Sequence, residues 1–246
     1  MGDGTEAPTA PAGGHDRASG AAHTIRPDHA RRSPSDRQGV AAFDFDGTLT
    51  YRDMLVPFLI GLGGRRAAAR SVGLSGLSLA RQRARTRDDA KAAMLRHVLR
   101  GRSAADVEAA GAAYAARLQT ELRPDAIERI EWHRARGHLV LLVSASLGVY
   151  LRPLAETLGL DGVEAVELVA DDRGVLTGEM TGPNCRGPEK VVRLDRHLGE
   201  LELTRDDVEL WAYGDSSGDA ELLAAAQHAH RCTPVRRRNR PRTHGG

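Results

Sequence analysis

The segment Asp44-Phe45-Asp46-Gly47-Thr48-Leu49-Thr50 constrains this chain more than any other stretch of it. It follows a short apolar run, Val40-Ala41-Ala42-Phe43, which reads as a buried strand ending where polar residues begin. Carboxylates two apart on an extended chain face the same side. Such a pair, at a strand end and just before a glycine turn, suits a Mg²⁺ ion facing a phosphate. Open α/β sheets bind their ligands at the carboxyl ends of their strands. The plainer reading of the same residues is an Asp-rich turn that closes a strand, since short motifs recur by chance.

Three later features, in chain order, decide between the two. Ser144 follows the apolar run Leu139-Val140-Leu141-Leu142-Val143. Lys190 follows a Gly187-Pro188 break, and Gly214-Asp215-Ser216-Ser217-Gly218-Asp219 follows the apolar-rich run 208–212. Each has a bland account alone: Ser144 as a helix N-cap, Lys190 as a surface lysine, Asp219 as a first-turn acid favoured by the helix dipole. Ser144 as a serine-hydrolase nucleophile is a weak reading, because Val143-Ser144-Ala145-Ser146-Leu147-Gly148 lacks the G-x-S-x-G elbow.

Taken in order, these four features resemble the motifs of the haloacid dehalogenase (HAD) superfamily. Val143-Ser144-Ala145-Ser146 and the segment from Asn184 to Lys190 are similar, more narrowly, to the phosphoserine-phosphatase-like hydrolases of subfamily IB. The likeness covers residues 40–232. It implies an α/β fold: a Rossmann-like HAD core with a mostly parallel sheet and an inserted helical C1-type cap. It also implies Mg²⁺-dependent phosphomonoester hydrolysis, with Asp44 as the nucleophile that becomes an aspartyl-phosphate and Asp46 as acid, then base. That second Asp separates a phosphatase from a dehalogenase, since a departing halide needs no proton. Thr48, Ser144, the Ala145 amide and Lys190 are the expected phosphate contacts. Asp44, the carbonyl of Asp46, and Asp215 are the expected metal ligands, with Asp219 orienting either the metal shell or Lys190.

Alternation of strand-like and helix-like runs supports that architecture. Strands are expected at 40–45, 139–143, 163–168 and 208–212, helices at 124–136, 148–159, 188–199 and 218–227. A small hairpin is expected between Glu164 and Met180, around the turn Asp171-Asp172-Arg173-Gly174. The core is assigned to 40–52 and 123–232, and the cap to 53–122. The cap segment is rich in Ala, Leu and Arg, and breaks at Gly61-Leu62-Gly63-Gly64, near Thr86 and at Gly101-Arg102-Ser103 suggest about four helices. Residues 1–39 read as a disordered leader, or as sequence upstream of the true start, and 233–246 as a basic disordered tail.

Specificity in such a cap falls to few residues. In phosphoserine phosphatases an acidic residue nine after the nucleophile meets the substrate amine, and here that position is Asp53. A cap Arg meets the substrate carboxylate. The alignment through Lys91-Ala92-Ala93-Met94-Leu95 puts His97 there, with Arg96 beside it, and Ala90 where a Phe is usual. L-phosphoserine is therefore expected to be a poor substrate. Residues 65–102 hold ten Arg and one Lys against Asp88 and Asp89, a local excess of +9. That excess suits a solvated face, a lure for anionic substrates, or weak peripheral membrane contact.

Composition agrees with an enzyme of this kind. The 246 residues are enough for a full core, and a net charge of +2 marks no nucleic-acid binder. The two cysteines, Cys185 and Cys232, form no CxxC pair, so a disulfide framework or zinc site is not expected and a reducing cytoplasm is. No apolar stretch reaches the length of a membrane span, and the N-terminal region has no signal-peptide core. The expected partner is a small phosphorylated substrate. A lipid or polyol phosphate is the alternative within the class. A non-catalytic module that binds phosphorylated ligands is the alternative outside it, and a phosphate-accepting receiver is disfavoured by the Asp46 proton donor.

Overall fold

The computed structural model describes residues 37–62 and 87–233. Most of the expected leader and tail, the cap breaks at Gly63-Gly64 and Thr86, and the Arg-rich stretch before Arg87 lie outside the described residues.

In chain order the elements are β1 (Gln38–Phe43), α1 (Leu55–Leu62), α2 (Arg87–Leu99), α3 (Ala104–Leu118), α4 (Pro124–Arg134), β2 (Leu139–Leu147) and α5 (Gly148–Leu158). They continue with β3 (Gly162–Val166), β4 (Leu168–Ala170), β5 (Leu176–Met180), α6 (Pro188–Glu200), β6 (Val208–Gly214), α7 (Ala220–Ala225) and β7 (His228–Arg231). Five strands form one sheet in the order β3-β2-β1-β6-β7, and every neighbouring pair is parallel. Helices cover such a sheet on both faces, so its inner strands are continuous apolar runs. Accordingly Val40, Ala41, Ala42 and Phe43 of β1 and Val140, Leu141, Leu142 and Val143 of β2 are fully buried.

Strand order and register together place the site. From β1 the chain winds outward through β2 and β3, then returns on the other side through β6 and β7, so the order reverses between β1 and β6. A crevice outside the strand ends at such a reversal is where open α/β sheets bind ligands. Phe43 is level with Leu142 on one side and Tyr213 on the other. The next residues of the three strands, Asp44, Val143-Ser144 and Gly214-Asp215, therefore emerge together.

Strand ends differ from expectation, with β6 running to Gly214 rather than residue 212. β1 stops at Phe43, not residue 45, because the amides of Thr48, Leu49 and Thr50 all turn back onto the carbonyl of Phe45, at 3.2, 2.9 and 3.1 Å. β2 continues past Val143 to Leu147, with a register break against β3 between those residues. The hairpin forms as β4 and β5, antiparallel, and the run expected at 163–168 divides into β3 and β4.

Between β1 and β2 the regular elements among the described residues are all helices. Phe58 of α1 and Tyr114 of α3 meet Tyr150 of α5, with ring centroids 5.0 and 5.5 Å apart. This aromatic cluster joins the inserted helices to the core. α3 approaches α5 so closely at Gly111 that a Cβ there would lie 2.2 Å from the Val149 carbonyl oxygen. The hairpin bonds to the turn between α2 and α3: Gly101 donates to Leu176, and Leu176 to Arg102.

Candidate active site

Lys190 is the centre of the site. It sits on the first turn of α6, which Pro188 starts, and it is 1% exposed. An ammonium has three hydrogens to give. Its nitrogen lies 2.6 Å from Asp44 Oδ1, 2.7 Å from the Val143 carbonyl and 2.6 Å from Asp219 Oδ1. Burial works against its charge, but Asp44 and Asp219 outweigh that and hold its pKa at about 12. The surface-lysine account of Lys190 is thereby excluded.

Asp219 is 1% exposed, and its other oxygen accepts from the Ser216 amide at 2.9 Å and the Ser216 hydroxyl at 2.8 Å. Burial would raise this carboxyl, but Lys190 and Ser216 outweigh it and hold it below the usual range. Both oxygens are engaged, one by Lys190 and the other by Ser216.

Asp46 is held differently. Its Oδ1 accepts from the Met54 amide at 2.8 Å and its Oδ2 from the Ser146 hydroxyl, which in turn accepts from Tyr150 at 2.7 Å. Burial, then the charge of Asp53, raises its pKa to about 7. A carboxyl so placed can carry a proton near neutral pH and give it up there.

A cleft of about 300 Å³ is lined by Asp44, Asp46, Ser144, Ala145, Lys190, Asp215 and Asp219 among others. Seven residues expected from sequence thus meet in one place, joined by Asp53 at the rim. Ser144 is 1% exposed and lies within β2, and α5 begins after Leu147 with no side-chain cap, so Ser144 is not an N-cap.

The cleft also fits a divalent cation. Carboxylate oxygens of Asp44, Asp215 and Asp219 lie within 4.8 Å of one another, against the single ammonium of Lys190. Burial, then the charges of Asp44 and Asp219, raises Asp215 to about 6. Burial also pushes Asp44 up, opposed by Lys190. Asp44 and Asp215 are the two acids a bound cation would relieve, and hard oxygen ligands suit Mg²⁺. Gly47 makes room for this pairing: its φ is +86°, and a Cβ there would stand 2.2 Å from Asp215 Oδ2.

Three expected site residues lie elsewhere. Thr48 is 1% exposed and lines a separate cavity of about 190 Å³ with Arg123, Tyr213 and Cys232. The chain reverses at Gly47 and carries the Thr48 side chain out of the cleft. Arg96 and His97 are exposed, and Arg96 is paired with Glu179 of β5 at 2.7 Å. Neither lines the cleft or the hollow beside it, so the stated basis for a poor response to L-phosphoserine is removed. Asp53 does line both, while its Oδ1 accepts from the Leu55 and Val56 amides at 2.9 and 3.2 Å.

Other residues of α2 line the hollow beside the cleft, and sequence reasoning did not single them out. The adjoining hollow, about 560 Å³, is lined by Arg87, Asp88, Lys91 and Met94 from α2, with Asn184 and Arg186 from the core. Helical phase was the available signal: 91, 95 and 99 share one stripe, Leu95 and Leu99 are buried, and 96 and 97 lie off it. Ser146 was also missed, although it stands two residues after Ser144 and so on the same face of the strand. A further hollow of about 550 Å³ between α1 and α3 contains none of the expected site residues.

Residues 41–224 match the family model for haloacid dehalogenase-like hydrolases. The chain is 39% identical over 189 residues to Protein CicA of Caulobacter vibrioides, covering 76% of this chain and 82% of that one. A crystal structure of a protein of unknown function from Bordetella pertussis Tohama I superposes with a TM-score of 0.66 at 26% identity, over 77% of this chain and 87% of that one. A phospho-aspartyl intermediate analogue of phosphoserine phosphatase shares the fold, with a TM-score of 0.52 at 21% identity over 77% and 84% of the two chains.

Proposed function

The chain belongs to the haloacid dehalogenase-like hydrolase family, and from that premise we propose that it is a Mg²⁺-dependent phosphomonoester hydrolase. The observation that carries this reading is the Lys190 ammonium 2.6 Å from Asp44 in a cleft that also holds Asp46. Hydrolysis of a phosphate ester needs a nucleophile, a proton donor for the leaving alcohol, and positive charge about the transferred group.

Asp44 attacks phosphorus and the bond to the ester oxygen breaks. The electron pair stays on that oxygen, which takes the proton of Asp46. The Asp46 carboxylate then removes a proton from water as the water attacks the aspartyl-phosphate, releasing phosphate and restoring both residues. Lys190 offsets charge on Asp44 and on the phosphoryl oxygens, and Asp219 keeps it there. Ser144 and the Ala145 amide are the proposed phosphate contacts, and the amides of the Asp44–Gly47 turn take the part expected of Thr48. Asp44, Asp215 and the Asp46 carbonyl would hold the metal, which when bound supplies positive charge against that building on the phosphoryl group.

The retained Asp46, with its bonds from Ser146 and Met54, favours this reading over a module that binds phosphorylated ligands without turnover. Cytoplasm is the proposed compartment, consistent with two free cysteines. Among the described residues no helix is long and apolar enough to cross a membrane. The test is release of inorganic phosphate from phenyl phosphate by the full chain with Mg²⁺, and its loss in Asp44→Asn. Absence of release from any of a broad set of phosphomonoesters would overturn the proposal.

A further inference from the structure

The hollow of about 560 Å³ opens from the catalytic cleft through Asp46, Asp53, Ala145 and Arg186, which line both. Its contents divide by chemistry. Leu55, Val56, Ala90 and Met94 are apolar, and Arg87, Lys91 and Arg186 are cationic. Its acids apart from Asp46 are already engaged: Asp53 accepts from the Leu55 and Val56 amides, and Asp88 accepts from Asn184 Nδ2 at 2.7 Å.

Lys91 stands out in this set. Its ammonium donates to the Ala145 carbonyl and, at 2.6 Å, to Asn184 Oδ1. Both acceptors are neutral oxygens, so two of its three hydrogens are used and its charge meets no direct partner there. Burial, opposed by surrounding acids of which Asp46 comes first, lowers its pKa to about 8. A cation withdrawn from water at the edge of an open hollow is completed by an anionic oxygen.

Building on the phosphatase reading, we propose that this hollow receives the leaving-group half of the substrate and that Lys91 binds an oxyanion there. The substrate is a phosphomonoester whose alcohol bears an apolar segment ending in a carboxylate or a second phosphate. The hollow's volume is that of a site for a sizeable organic group, and Leu55, Val56 and Met94 supply the surface for the apolar segment.

The test compares four esters with the full chain and Mg²⁺: phenyl phosphate, hexyl phosphate, 6-phosphooxyhexanoate and hexane-1,6-diol bisphosphate. The last two separate a carboxylate from a phosphate. Wild type is expected to favour at least one of them over hexyl phosphate by tenfold or more in kcat/KM. Lys91→Met should shrink that preference at least tenfold, chiefly through KM, and Lys91→Arg should keep most of it. No turnover of any of the four esters counts against the phosphatase reading itself. Turnover of phenyl phosphate with no preference for the charged esters overturns the oxyanion inference alone. An equal fall for all esters in Lys91→Met also overturns it, since Lys91 would then only hold α2 against the core. If the Lys91 variants do not fold, wild type still decides. The matching product, 6-hydroxyhexanoate or 6-phosphooxyhexanol, should inhibit competitively at least tenfold better than hexanol, and equal inhibition by all three refutes the proposal.

Discussion

Lys190 and Asp219 form an ion pair at 2.6 Å in which each residue is only 1% exposed. A buried pair of this kind is costly to desolvate, and it persists where its remaining valences are filled. Here they are: Lys190 also meets Asp44 and the Val143 carbonyl, and Asp219 also meets Ser216. The arrangement ties the first turn of α6 to the ends of β1, β2 and β6 at the point where strand order reverses. It makes the candidate cleft part of the folded core, so the two can be tested together.

Replacing Lys190 by Met should therefore damage both stability and chemistry. Removing one member of a buried ion pair leaves an unpaired charge and costs about 3–5 kcal/mol. Urea denaturation should show a loss of that order, with phosphate release falling to background. A variant as stable as wild type would mean that Asp44 and Asp219 are not both ionised around Lys190.

Asp44→Asn should separate the two effects. An amide keeps the shape of the carboxylate and can still accept from Lys190, but it does not attack phosphorus. Turnover is expected to fall on the order of a thousandfold or more, as when a nucleophile is removed from other covalent catalysts, while the unfolding midpoint shifts little. Activity within tenfold of wild type would remove Asp44 from the nucleophile's role.

What was legible in the sequence follows a physical rule. Asp44, Ser144, Lys190 and Asp215 each stand at a strand end, a bulge or a helix start marked by Gly, Pro or a sharp change of polarity. Local signals therefore fixed their positions along the chain, and parallel register brought them level. Thr48 was misplaced because a reversal at a positive φ carries the following side chains to the other side of the turn. The α2 contacts were misassigned because counting residues along a helix without its phase does not say which face is buried. Lys91 lies on the stripe of Leu95 and Leu99, whereas Arg96 turns outward to Glu179. That β4 and β5 would bond to the turn between α2 and α3 depends on long-range docking, for which no local signal exists.

Metal dependence has a readout apart from activity. With Asp44, Asp215 and Asp219 around one ammonium, Mg²⁺ that binds the folded chain should raise its melting temperature by mass action. Calorimetry should show this rise in wild type and lose most of it in Asp215→Ala. Without metal, Asp215→Ala should match or exceed wild type in stability, because it removes a carboxyl whose ionised form burial and its neighbours disfavour. A chelator should abolish phosphate release, and full activity in its presence would contradict the assignment.

The last prediction concerns a histidine that does not line the cleft. His133 on α4 is fully buried, with one ring nitrogen 2.9 Å from the Tyr213 hydroxyl and the other 2.9 Å from the His138 ring. Burial, then the positive neighbours His138, Arg129, His230 and Arg136, lowers its pKa from 6.5 to about 4. Between those two values the unfolded chain takes up a proton at this position and the folded chain does not. The unfolded state binds more protons there, so stability rises with pH, and the contribution of His133 is fully present above about pH 6.5. As pH falls toward 4 that contribution is lost, by at most about 1.4 kcal/mol per pH unit for one proton. His133→Gln should therefore be less stable than wild type at pH 8, by about 1–3 kcal/mol for the broken buried hydrogen bonds. The gap should narrow steadily between pH 6.5 and 4 in chemical denaturation at constant salt. Asp46 and Asp215, whose carboxyls shift the other way, are common to both proteins and drop out of the difference. A gap that stays constant across this range would mean that His133 is protonated in the folded chain, with its ring nitrogens both donating.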